Sequence, residues 1–465
     1  MDGKGMSDPQ SIAARLLERA VGIDGGAEIE ASVDSNRLAL TRFANSVIHQ
    51  NVADDTTRAH LRVHRDGRTA SGSTTRVDDE GIVALVDRTL ASVAVAPLDP
   101  GWPGLAVPAS PGDVAAVDPA TAAVTAQQRA EVVASFVEAV GELEAAGYCR
   151  SDHSRRALAN SAGQSISSES AEMAFDGIAR STDADGAARA SSNRFADLDG
   201  GVLGDRAAAK ARAGASPVEL PPDRYEVILE PTAVADVLMS LGWYGFNAKA
   251  VEERVSFVRV GEAQFDPAVT LVDDAPATGD AFDAEGTPTQ RTTLIDAGTT
   301  ASLTHDLRTA ALVGAESTGH GVGAPSFGAL ARHLCLAPSD AGTGATAEVD
   351  GPIVDAAAAE LIAGVDRGIL VTDLWYTRVL DPRTLVVTGL TRNGVWLVEG
   401  GEVVQALRNF RFTQSYAQAL MPGSVRGVGR VAHAVPGDTY SASAPRWTAP
   451  ALHLASWNFT GGASG

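Results

Sequence analysis

Six prolines, at 97, 100, 103, 108, 111 and 119, break the chain once, and Pro217, Pro221 and Pro222 break it again. Proline fixes φ and lacks an amide donor, so neither stretch can run through a helix interior or a central strand. The breaks divide the chain into an N-terminal domain (1–98), a middle domain (120–216) and a C-terminal domain (222–465). The first break reads as a linker or as a crossover hugging the surface.

Within these segments the apolar pattern predicts an α+β fold. Asp8 and Pro9 open a helix bearing Ile12, Leu16 and Leu17 on one face. Strand-like alternation follows over 27–33 and 38–43, and a third run, 56–63, meets 69–74 across an Asp66-Gly67 hairpin. Asp78 and Asp79 suit the cap of a helix carrying Ile82, Leu85, Val86 and Leu90. The middle domain reads as a helix plus a β-meander. Thr125 and Gln128 form a capping-box pattern ahead of Val132, Phe136, Val140 and Leu143. Runs 157–167 and 174–180 read as meander strands, and 202–213 as a helix. The C-terminal domain is β-rich. It opens with the strand Tyr225–Leu229 and a helix started by Pro231, and strands follow over 292–296, 369–374, 384–389, 394–398 and 402–407. Gly400 and Gly401 make the last pair a hairpin.

Composition excludes several function classes. A net charge of −21 argues against a phosphate-tracking nucleic-acid binder and against an anionic membrane surface. Two cysteines, Cys149 and Cys335, make no disulfide framework and fit a reducing cytoplasm. The polar N-terminus has no signal-peptide core, and no apolar run approaches the ~20 residues of a membrane span.

Zinc hydrolases need two imidazoles one helical turn apart and a carboxylate. His60 and His64 lie on a strand, where residues four apart stand too far from each other to share a metal, so they read as surface histidines. His305 and His320 have no His or Cys at helical ligand spacing, and Cys335 reads as a buried thiol. No serine-nucleophile elbow, dinucleotide loop or Walker motif occurs. The pairs Asp273-Asp274 and Asp283-x-Glu285-Gly286 suit tight turns, with a hard-cation site as the alternative.

These last residues sit in two runs, Leu271 to Pro276 and Ala281 to Arg291, that resemble the signature segment of the TldD/PmbA (TldD/TldE) peptidase family. Further pieces follow in family order: Arg42 to Asn51, Gly67 to Gly72, Glu252 to Phe257, Asp306 to Ala310, Ser317 to Gly319, Val365 to Asp373, and Asn393-Gly394. Active members of the family carry a zinc-binding His-Glu-x-x-x-His helix just after the strand equivalent to Tyr225–Leu229. Here that place, 233–247, has no His, Glu or Cys, the whole interval 154–304 has no histidine, and no cysteine follows Cys335. The likeness is therefore to the PmbA/TldE branch. It implies a metal-free, non-catalytic subunit that pairs with a TldD-type partner holding the zinc and helps enclose a peptide. No catalytic or metal residue carries over. Asp273, Asp274, Phe282, Asp283, Glu285, Gly286 and Gln290 are the candidate cleft or interface loop. An independent homodimeric hydrolase and a peptide-binding scaffold are the alternative expectations.

Overall fold

The computed structural model describes residues 8–339, 356–437 and 445–462. The segment 1–7, read above for a signal peptide, lies outside them. The first half is built from two similar units. Helix α1 (Pro9–Ile23) is capped by the Asp8 carboxylate, which accepts from the Ser11 amide, and buries Ile12, Ala13, Leu16 and Ala20. Strands β1 (Glu28–Ala44), β2 (Val47–Arg65) and β3 (Arg68–Thr74) follow, then α2 (Asp79–Val95), capped by Asp78. After a short turn of helix, α3 (Pro119–Ala122), the pattern repeats: α4 (Ala126–Val140), β4 (Glu144–Asn160), β5 (Ser165–Arg180), β6 (Asp185–Ser192) and α5 (Gly200–Ala213). The Thr125–Gln128 capping box is formed.

The two units share one antiparallel sheet, ordered β3-β2-β1-β4-β5-β6, with β1 paired to β4 from Glu30↔Asn160 to Phe43↔Gly147. The proline-rich stretch is therefore a crossover joining two halves of a sheet, and the segments 1–98 and 120–216 do not form separate sheets. Each half keeps its own apolar layer. Ile29, Ala31, Val33, Leu61 and Val63 pack with α1 and α2; Phe43, Cys149, Met173 and Phe175 pack with α4 and α5. Residues alternate across the sheet, so the opposite face carries Glu30, Asp34, Arg62, Arg150, Arg156 and Glu172, and this polar face meets the C-terminal half.

The strands are longer than the sequence pattern indicates. The runs 27–33 and 38–43 are one strand, and it turns at Asn45 and Ser46, both left-handed (φ 50° and 59°), the geometry a two-residue hairpin wants. The run 157–167 contains a turn, closed by Asn160 N–H to Gln164 C=O, and so belongs to two strands.

The C-terminal half forms a second sheet from β7 (Arg224–Leu229), β8 (Leu271–Asp273), β9 (Thr292–Asp296), β10 (Thr299–Thr300), β11 (His333–Leu336), β12 (Arg367–Asp381), β13 (Val386–Glu399), β14 (Glu402–Ala406), β15 (Phe410–Ser415), β16 (Val425–Val435) and β17 (Arg446–Gly462). The order is β10-β9-β8-β11-β17-β15-β13-β12-β7, and β17 also pairs with β7, which closes β17, β15, β13, β12 and β7 into a ring. Runs 384–389 and 394–398 are one strand, β13. Gly394 (φ 129°), where the second run was expected to begin, sits at a register shift against β12. Helix α6 (Pro231–Tyr244) follows β7 and places Val234, Val237, Leu238 and Leu241 in a core with Phe412, Tyr416 and Trp457. Among the described residues no helix is long and apolar enough to cross a membrane.

Candidate functional site

Helix α6 contains most of the segment 233–247 singled out by the resemblance described above. Its core side is apolar. Its other side, Thr232, Ala235, Asp236, Met239 and Trp243, follows helical spacing and looks onto the seam between the two halves. Pro231 starts the helix, but the N-cap residue Glu230 makes no side-chain capping bond. Its carboxylate instead accepts from Lys210 Nζ of α5 at 2.5 Å, with both side chains 3% exposed. One ion pair thus pins the N-terminus of α6 to the first half of the molecule.

Beside α6 lies a recess of about 500 Å³, walled by Tyr148, Met239, Trp375, Tyr376 and Trp447. Two polar constructions hold its walls. Arg189 bridges Asp176 (2.9 Å) and Asp373 (2.7 Å), and Asn393 Nδ2 donates to the same Asp373 oxygen at 2.9 Å. Burial pulls the Arg189 guanidinium down, but the two carboxylates more than offset this and hold it above its ordinary value. Asp236 receives the Tyr416 hydroxyl on one oxygen and the Thr377 hydroxyl on the other, each at 2.7 Å. Burial pushes its carboxyl up to about 6 against these two donors and with help from Asp373.

The acidic loop read from the sequence lies farther along the same seam. Asp273 is fully buried on β8 and accepts from the Arg332 amide at 2.6 Å, while His320 Nε2 stands 3.5 Å from its other oxygen. Burial would raise the Asp273 carboxyl, but His320 and the Arg332 amide keep it below its ordinary value. Asp283 is also fully buried, and its carboxylate takes three backbone amides, those of Glu285 (2.9 Å), Thr287 (3.0 Å) and Gly321 (2.8 Å). Glu285 accepts from the Leu307 amide at 2.8 Å and lies 3.8 Å from Arg62, which is itself paired with Glu30. Burial first, and Asp283 second, push the Glu285 carboxyl up to about 7. Gly286 turns the loop at φ +83°, where a Cβ would meet Leu158 at 2.6 Å, and its carbonyl accepts from Gln164. Phe282 is buried under the Arg156 guanidinium, 4.7 Å above its ring. Asp274 is half-buried beside Arg291 (3.4 Å), and Gln290 is exposed. The structure therefore gathers Asp273, Phe282, Asp283, Glu285 and Gly286 in the seam and leaves Gln290 outside it.

Other residues of the seam carry no local sequence signal. Asp280 is gripped by both Arg156 and Arg332 beside a smaller recess of about 190 Å³, which Trp243 of α6 also lines. His320 is 1% exposed and its Nδ1 pairs with the Thr318 hydroxyl at 2.8 Å. His60 and His64 of β2 are half-buried rather than superficial: His64 stacks on Trp102 with centroids 4.6 Å apart, and burial lowers the His60 imidazole. Cys335 is partly rather than fully buried, and desolvation holds its thiol up at about 12, which makes it a poor nucleophile.

Among the described residues no group of three or more His, Cys, Asp or Glu could hold a metal ion. The seam-facing side of α6 offers one carboxylate, Asp236, whose two oxygens are both engaged. These residues do not fit a zinc site of the kind that needs imidazoles and an open position.

Residues 222–461 match the PmbA/TldA metallopeptidase C-terminal domain, and residues 30–93 match domain 1 of the same group. No curated protein matches the chain by sequence. Three solved structures share the fold. TldE from Thermococcus kodakarensis is 17% identical with a TM-score of 0.82, covering 97% of this chain and 100% of its own. A Thermotoga maritima MSB8 protein described as a candidate modulator of a DNA gyrase is 18% identical with a TM-score of 0.80 over the same shares. A Bacteroides thetaiotaomicron VPI-5482 protein described as a candidate modulator of DNA gyrase is 18% identical with a TM-score of 0.75, covering 97% of this chain and 98% of its own.

Proposed function

Because this chain belongs to the PmbA/TldD metallopeptidase family, we propose that it is the metal-free, non-catalytic subunit of a TldD/TldE-type heterodimeric peptidase acting on small or unfolded peptides. The observation that carries this reading is the sequence of α6. Where active relatives present two histidines and a glutamate, this helix presents Thr232, Ala235, Asp236 and Met239 to a recess. A TldD-type partner would hold the zinc that activates water. This chain's own residues would bind and orient the peptide: the recess beside α6 takes its side chains, and the Arg189 and Asp236 constructions hold the walls in place. The acidic loop 271–291, tied into the seam by backbone amides, shapes the subunit and performs no acid–base step. Two cysteines that form no disulfide fit a cytoplasmic setting.

The test is co-expression with a His-Glu-x-x-x-His partner, followed by gel filtration, metal analysis and casein digestion. The expected result is an inactive lone chain without stoichiometric zinc, and a chelator-sensitive complex. Chelator-sensitive cleavage by the lone chain, or about one zinc retained per chain, would overturn the reading.

A further inference from the structure

Strand β12 changes character in its middle. Gly368 to Leu374 are buried, whereas Trp375 and Tyr376 are 47% and 66% exposed. The change coincides with a register shift against β13 between Trp375 and Arg378, and Tyr376 sits at φ +55°. A bulge of this kind re-aims side chains, and a bulky residue in the left-handed region persists only where its surroundings impose it. Here they do. The next residue, Thr377, is bolted to α6 through Asp236, whose second oxygen is taken by Tyr416. Each ring also has a cation against it: the Arg378 guanidinium lies 4.6 Å from the Tyr376 centroid, and that of Arg392 lies 4.6 Å from the Trp375 centroid. Two half-exposed aromatics thus border the recess that Met239 and Trp447 also line.

We infer that this bulged aromatic shelf is a specificity subsite that takes a large apolar or aromatic side chain of an extended peptide; the inference rests on the peptide-binding reading above and deepens it. The chemistry of the recess selects this occupant. Arg189 is spent on Asp176 and Asp373, and Arg378 and Arg392 are held against the rings. An anionic group entering would meet the carboxylates of Asp176, Asp236 and Asp373, and among the described lining residues the cations are Arg189, already paired with two of them, and Arg378, which lies against the Tyr376 ring. An apolar side chain needs no such partner and gains by covering exposed ring surface.

Isothermal titration calorimetry of the full chain tests this with two short glycine-serine peptides that differ only in a central phenylalanine or serine. The phenylalanine peptide should bind about tenfold tighter or more. Tyr376→Gly should abolish the difference, and because glycine is relaxed at this φ the variant remains folded. Equal affinities for the two peptides would overturn the shelf while leaving peptide binding intact, and no binding of either would overturn both. A preference unchanged in Tyr376→Gly would also overturn it. So would a variant whose oligomeric state by light scattering changes while its peptide affinity does not, since the shelf would then belong to a subunit interface.

Discussion

Single residues in the seam carry more than their local sequence reveals. Asp283 was legible as part of a turn, because Asp, Gly, Thr and Pro are the residues that turns use. The bond that makes it indispensable, from the Gly321 amide, comes from 38 positions away. Asparagine at 283 would turn an amide group toward at least one of the three backbone N–H donors. Asp283→Asn should therefore lower stability by about 1–3 kcal/mol, as measured by urea unfolding. A normal midpoint together with lost turnover in the partner complex would move Asp283 into the chemistry. Tyr376 is the opposite case: its left-handed backbone costs about 1–2 kcal/mol. Tyr376→Gly should consequently melt no lower than the parent protein in a thermal scan, and a marked drop would show that the ring contributes more to the fold than its conformation costs.

At the scale of the element, the start of α6 was visible in Pro231, but the fate of its N-cap was not. Sequence places Glu230 where a capping side chain belongs, and the structure turns that carboxylate to Lys210 instead. Removing one partner strands the other as a buried charge. Lys210→Met alone should destabilise by about 3–5 kcal/mol, while Lys210→Met with Glu230→Gln should recover most of that loss. Denaturant midpoints of the singles and the double close the cycle. Additive effects would mean that the pair does not couple α5 to α6.

Across the whole molecule, buried carboxylates set a pH dependence of stability. Glu285 and Asp152 are raised to about 7 and Asp236 to about 6, burial being the largest cause in each. Between the ordinary carboxylate range and these values the folded state binds more protons than the unfolded one, so stability is fullest below the unfolded values and is lost as pH rises through about 6 to 7. The protein should melt higher at pH 5.5 than at pH 8, and Glu285→Gln should flatten part of that slope. A melting temperature that rises between these two pH values would contradict the assignment. The sequence alone determined what depends on neighbours along the chain: helix starts at Pro9 and Pro231, the Thr125–Gln128 capping box, the Asp66-Gly67 and Gly400-Gly401 hairpins, the α+β class, and through its ordered motifs the family. These follow from dihedral preferences and from side chains bonding amides a few residues away. Tertiary structure alone decided that the first two segments share a sheet, and that Arg156 and Arg332 converge on Asp280. It also decided that a bulge in β12 places Trp375 and Tyr376 at a recess that α6 lines too. Each of these joins residues remote in the chain, through strand pairing and charge burial that no local pattern encodes.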